Sequence, residues 1–257
     1  MFSARHLRVD LGRRAILAGI DFDAEAGALT AIVGPNGSGK TTLLRALSGE
    51  LAAEGEIRLN GRDMGALKPW QLAERRAVLP QATVLGFPFT VREVVGLGAG
   101  RRSADPMLAE RALERVDLAH FGGRFYQELS GGEQQRVQLA RVLCQVWSPA
   151  IDGEPCWLLL DEPVSSLDIR HQLLVMEIAR AFARAGGGVI AILHDLNLAA
   201  LFADRIVLMG RGRIVAAGPP GEVLEDEALS AVFGCVLRVG VPPAGVPFVL
   251  PHATQLQ

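Results

Sequence analysis

The chain is nearly without lysine: of its 26 basic side chains only Lys40 and Lys68 are not arginine. It has a single tyrosine, Tyr126, and aromatics make up 5% of the residues. Cysteine is scarce and odd in number. Cys144, Cys156 and Cys235 are far apart and lack metal-ligand spacing, which excludes a disulfide-stapled scaffold, points to a reducing compartment and predicts ordinary buried thiols. Strong charge of either sign is also missing, the net value being −2, so nothing electrostatic favours nucleic acid as a partner. No apolar run reaches membrane-spanning length, and Met1 to His6 contains no signal core, so a cytoplasmic protein is expected. The histidines His6, His120, His171, His194 and His252 include no pair at ligand spacing on one helix face, which removes a histidine-bound metal or haem from consideration.

What is present is a glycine-rich stretch in a telling place. Gly34-Pro35-Asn36-Gly37-Ser38-Gly39-Lys40-Thr41-Thr42 follows the apolar run Leu29 to Val33 and opens into helical spacing at Leu43. A strand enters, a loop turns and a helix leaves, the arrangement in which successive backbone N–H groups converge on a phosphate. Lys40 is then placed to reach the β- and γ-phosphates, and the Thr41 hydroxyl to ligate Mg²⁺. In a chain that otherwise uses arginine, a lysine at this position marks a point charge.

Upstream, Leu7–Leu11 and Ile16–Ala24 read as strands joined at Gly12-Arg13-Arg14, and after the loop and its helix Glu56 to Gly61 reads as another closed by an Asn-Gly turn. An antiparallel sheet beside the nucleotide core follows. Ala77 to Pro80 is a short apolar run ending at Gln81; residues 82–90 look like loop, and Val91 to Val116 turns helical. Trp157 to Leu160 delivers Asp161-Glu162-Pro163, a helix starts near Asp168 and stops at Gly186, and Val189 to Leu193 leads to His194. A hairpin is expected around Gly210-Arg211-Gly212. Buried strands alternating with helices predict an α/β fold with a mostly parallel, doubly wound sheet and the chemistry at the strands' carboxyl ends, where Gly34, Asp161 and His194 fall.

Adjacent residues at a strand end point apart, so Asp161 can serve a Mg²⁺ shell while Glu162 faces an attacking water. Ser130-Gly131-Gly132-Glu133 has the form of a capping box. Its two glycines, each costing a helix start roughly 1 kcal/mol relative to alanine, go beyond capping and suit bare N–H groups offered to a γ-phosphate.

The phosphate loop, Gln81, Leu129 to Arg136, Leu158 to Glu162, Ser166-Leu167-Asp168 and His194 occur in the order seen in ATP-binding subunits of ABC transporters, which the chain resembles over roughly residues 7–224. The resemblance implies a phosphate-loop NTPase core with a mostly parallel sheet and an antiparallel β part (about residues 1–80 and 156–238), a helical signature subdomain (about 82–155) and a tail (239–257). It also implies a head-to-tail homodimer binding ATP and Mg²⁺, with Ser130, Gly131 and Gly132 of one subunit on the γ-phosphate held by the other. Gln81 would sense Mg²⁺ and water, Glu162 act as general base, His194 hold the γ-phosphate and Asp168 report across the interface. Implied partners are two membrane-spanning permease subunits at the cytoplasmic face of the inner membrane and, indirectly, a periplasmic haem-binding protein. Within the family the likeness is greatest to importers of iron compounds and vitamin B12, haem importers in particular. It is carried by Phe87 to Val95, Tyr126 to Leu129, Cys144 to Trp147 and Ser165 to Gln172. Importers of a siderophore or vitamin B12, and non-transport ABC ATPases, are the alternatives; a phosphate-loop kinase or GTPase leaves the Ser130 signature unexplained.

Two expectations concern surfaces. Many relatives place an aromatic near Leu11 to stack on adenine, a contact worth about 1–3 kcal/mol; Val9 to Arg14 contains none, leaving Leu11 or Arg13 to meet the base. Phe87 and Phe89, held by Pro88, are expected to line a groove for a cytoplasmic helix of the membrane subunit, with burial of both rings within the helical insertion as the competing reading.

Overall fold

The structure is a computed structural model that describes residues 1–12, 14–83, 85–99 and 105–251. The chain opens with β1 (Phe2–Leu11) and β2 (Arg14–Ala24), then β3 (Leu29–Val33), the phosphate loop and α1 (Lys40–Ser48). Next come β4 (Glu54–Leu59) and β5 (Arg62–Asp63), joined by Asn60 and Gly61 at positive φ, as the Asn-Gly turn demands. After α2 (Pro69–Arg75) and β6 (Arg76–Leu79) the chain enters a helical block of α3 (Val91–Gly96), α4 (Leu108–Arg115) and α5 (Gly131–Gln145). The block ends in a hairpin that helical periodicity did not foretell, β7 (Ala150–Ile151) and β8 (Glu154–Pro155). The chain continues through β9 (Trp157–Asp161), α6 (Ile169–Arg184), β10 (Gly188–Ile192), α7 (Leu196–Phe202), β11 (Arg205–Gly210), β12 (Arg213–Gly218), α8 (Pro220–Val223) and α9 (Asp226–Phe233).

These strands form a six-stranded sheet in the order β12-β11-β3-β10-β9-β6, parallel except for β12, and a four-stranded antiparallel sheet in the order β2-β1-β4-β5. β3, β9 and β10 are apolar apart from Thr30 and the terminal Asp161, and the reason is visible in their two faces. Leu158, Leu160, Val189 and Ala191 pack into a core with the helices, whereas Trp157, Leu159, Ile190 and Ile192 pack against α1 and the antiparallel sheet. Phe2 meets Trp157 edge-on at 5.3 Å, joining the two sheets through a contact worth about 1 kcal/mol beyond its burial. The Trp157 indole N–H donates to Asn60 Oδ1 (2.9 Å), and Asn60 Nδ2 donates to the Pro155 carbonyl, so the short hairpin is tied to the same junction. Arg75 adds ion pairs to Asp152 and Glu154.

The cysteines depart from expectation in one case. Cys144 and Cys156 are buried, and burial pushes the Cys144 thiol up to about 12; Cys235 is exposed because it follows α9 at the surface.

Candidate active site

The parallel strands end on one side of the sheet, and their ends carry the chemistry. Beyond β3 the backbone turns through Gly34, whose φ is +147° and where an added Cβ would lie 2.2 Å from the Met209 carbonyl oxygen, so only glycine fits. Lys40, nearly buried, donates from Nζ to the carbonyls of Gly34 (2.9 Å) and Pro35 (3.0 Å), and burial lowers its pKa despite the nearby Glu162 and Asp161. Gly39 caps α1 in the left-handed region with no side-chain bond to the first turn.

At the end of β9, Asp161 is buried and Glu162 turns outward at φ +51°, an uncommon conformation for a non-glycine residue that costs of order 1–3 kcal/mol. Thr41 donates to Asp161 Oδ1 at 3.3 Å. Burial first, then the charge of Glu162, pushes the Asp161 carboxyl up to about 6. The Glu162 carboxylate is held on both oxygens: Gln81 Nε2 donates to Oε2 (3.0 Å), and His194 Nε2 stands 2.5 Å from Oε1. Gln135 of α5 donates to the Glu162 carbonyl at 2.8 Å. Gln135 lies within the Leu129 to Arg136 stretch, yet nothing local assigns it this contact.

A cavity of about 490 Å³ opens between the loop from Asn36 to Thr42 on one side and Gln81, Glu162 and His194 on the other. Ser130, Gly131, Gly132 and Asp168 do not line it. Ser130 caps α5, with Glu133 Oε2 accepting from its N–H (2.8 Å) and hydroxyl (2.7 Å), bonds that hold the Glu133 carboxyl below the usual range. Gly132 passes so close to the loop before α6 that a Cβ would stand 3.0 Å from the Ser166 carbonyl oxygen. Asp168 caps α6 and accepts from the His171 N–H and from Nδ1. Leu11 is half exposed and lines neither this cavity nor the larger one beside it; Arg13 lies outside the described residues.

The family model for ABC transporters matches residues 17–165. The chain belongs to the ABC transporter family. As an ABC ATPase subunit it binds ATP. A Mesorhizobium japonicum protein named hemin import ATP-binding protein HmuV is 62% identical over 261 residues, covering 99% of both chains. Its counterpart of the same name from Rhizobium meliloti is 61% identical over the full length of both. Among solved structures, a bacterial Atm1-family ABC exporter with ATP bound superposes with a TM-score of 0.77 at 29% identity, over 90% of this ABC ATPase and 40% of the exporter chain. No helix among the described residues is long and apolar enough to cross a membrane.

Proposed function

We propose that this subunit hydrolyses MgATP as half of a head-to-tail homodimer and drives a haem importer. The observation that carries the hydrolytic part is the Glu162 carboxylate, held by Gln81 and His194 across from Lys40. Glu162 accepts the proton of the attacking water, Gln81 orients that water, and His194 donates toward the γ-phosphate. Lys40 exchanges the Gly34 and Pro35 carbonyls for phosphate oxygens.

Mg²⁺ fits the donors present. Thr41, which lines the cavity, and the buried Asp161 bonded to it offer two hard oxygens, and Mg²⁺ typically takes one or two protein oxygens with phosphate and water filling the rest. Among the described residues no cluster of three or more His, Cys, Asp or Glu could hold an ion unaided, which suits a cation that arrives with the nucleotide. Bound there, it would neutralise charge on the phosphates.

Because Ser130, Gly131 and Gly132 stand away from the chain's own phosphate cavity, they serve the γ-phosphate of the opposite subunit, with Asp168 beside that junction. Mixing inactive Lys40→Ala and Ser130→Arg subunits should restore part of the ATPase activity, since one of the two sites is then undamaged. Normal hydrolysis by either variant at high dilution would refute sharing.

Haem as cargo is supported by the names of the relatives, more than 60% identical over nearly the whole chain. The partners are two permease subunits and, through them, a periplasmic haem-binding protein, with this subunit peripheral on the cytoplasmic face of the inner membrane. The division into a core (about 1–80 and 156–238), a signature subdomain (about 82–155) and a tail (from 239) is supported by the separate antiparallel sheet and helical block. The docking loop divides its two rings: Phe87 is 72% exposed, while Phe89 packs on the helical core. Phe87→Ala should leave the melting temperature unchanged and weaken assembly with the permease; Phe89→Ala should cost about 2 kcal/mol of stability. Reconstituted transporter whose ATPase rises with haem-loaded binding protein, and not with a siderophore or vitamin B12 complex, would establish the cargo.

A further inference from the structure

The backbone of Glu162 is held from a helix that does not line the phosphate cavity. Glu162 has φ +51°, and a non-glycine residue stays in the left-handed region only where its surroundings fix it there. Three donors converge on its carbonyl oxygen: Gln135 Nε2 at 2.8 Å, the Ser165 hydroxyl at 3.2 Å and the Ser165 N–H at 3.3 Å. Ser165 is three residues on in the same turn. Gln135 stands on α5, so among the described residues it is the donor that ties this carbonyl to a separate element.

Spacing along α5 explains the reach. Gly132 and Gln135 are three residues apart and share a face. At Gly132 the absent side chain lets the helix settle within 3.0 Å, measured from a would-be Cβ, of the Ser166 carbonyl oxygen, and one turn later the Gln135 amide meets Glu162. Its neighbours turn inward to the helical block: Gln134 donates to the Tyr126 and Leu129 carbonyls, and Gln138 to the Tyr126 hydroxyl. From the far side of the loop Gln172, on α6, donates to the Val164 carbonyl at 3.4 Å, a longer bond on a residue that carries no charge.

Resting on the reading of Glu162 as general base, we propose that Gln135 is a positioning residue for hydrolysis, holding the Glu162 backbone so that its carboxylate stays between Gln81 and His194. Rotation about the N–Cα bond of Glu162 swings its carbonyl and its Cβ together relative to β9. A short bond on the carbonyl therefore aims the side chain. Without it the turn is free to relax out of the left-handed region, and relaxation carries the carboxylate away from Gln81 Nε2 and His194 Nε2. The base belongs to the core, and its aim is set from the helical block. Gln135 is absent from the cavity lining, so its role falls on turnover and not on nucleotide binding.

The test measures steady-state ATPase activity and ATP titration calorimetry on the full chain. Gln135→Met keeps the length of the side chain and removes the donor; it should lower kcat roughly 10–50-fold and leave the Kd for ATP within about twofold. Gln135→Glu places an acceptor where the donor was and should lose at least as much turnover, so either variant carries the comparison if the other fails to fold. Gln172→Met should keep kcat within about twofold, because it leaves the Glu162 carbonyl untouched. The deciding measurement is the double variant. Glu162→Gln combined with Gln135→Met should be no slower than Glu162→Gln alone, since aim is immaterial once the base is gone. Multiplied losses in the double variant, near-normal turnover of Gln135→Met, or an equal loss in Gln172→Met would each overturn the assignment. Near-normal turnover of Glu162→Gln would instead overturn the general-base reading itself, and the role of Gln135 with it.

Discussion

Two helices of this ABC ATPase begin at glycine-rich turns, and their ends are prepared in opposite ways. α1 starts after Gly39 with no side chain on its first donors, whereas α5 starts after Ser130 with a complete capping box closed by Glu133. Each end also has its glutamate. Glu133 is held three residues away by Ser130; Glu162 is held by Gln81 and His194, 81 and 32 residues distant. The first arrangement satisfies a helix and needs only local chain. The second positions an acceptor in an open cavity and exists only once β6, β9 and β10 lie side by side. An end left bare is ready for an anion, while a capped end must trade its own carboxylate for one.

The comparison can be broken at either end. The largest effect is expected at Glu162: Glu162→Gln should retain ATP binding and slow hydrolysis by roughly 10²–10⁴, about 3–5 kcal/mol of barrier. Near-normal turnover of the purified variant would remove Glu162 from the mechanism. Asp161 gives a smaller effect with a sign. Its folded-state pKa is raised, so its contribution to stability is present at low pH, below the unfolded value, and lost as the pH rises through about 6. Asp161→Asn should therefore stabilise the nucleotide-free subunit at pH 8 by about 1–2 kcal/mol, allowing for screening through the cavity mouth, and by much less at pH 4. On the proposed assignment of Asp161 to Mg²⁺, ATP binding in the presence of Mg²⁺ should run the other way, weakening about tenfold per unit below pH 6 in the wild type; thermal melts and calorimetry across pH 4–8 measure both. Smallest is Glu133→Ala, which should cost about 1 kcal/mol in urea denaturation and leave ATP binding to the isolated subunit unchanged. A loss of ATP binding there would mean that the capped end also serves its own chain's cavity.

The same contrast explains what could be read from the sequence. The phosphate loop, the Ser130 box, the Asn60-Gly61 turn and the apolar runs of β9 and β10 carry their causes within a few residues, so spacing and residue type revealed them. Gln135 on the Glu162 carbonyl and the Gly132 approach to Ser166 join residues whose only signal is proximity in the fold. The β7–β8 hairpin was missed for another reason: two-residue strands have no period to detect, and their hold on the molecule comes from Arg75 and Asn60, far upstream. Burial separated Phe87 from Phe89, which local pattern alone left equivalent.

The position of β3 has a consequence for synthesis. It carries the phosphate loop, yet its two neighbours in the sheet are β10 and β11, which end at Ile192 and Gly210. At a translation rate of about 5–20 residues per second, the strand emerging first waits roughly ten to thirty-five seconds for partners on both edges. During that interval β1, β2 and β4 can already pair, so the growing chain holds a finished small sheet beside an apolar strand with bare edges. Aggregation during translation, and the timing of chaperone engagement, should therefore be set by the arrival of the last quarter of the chain.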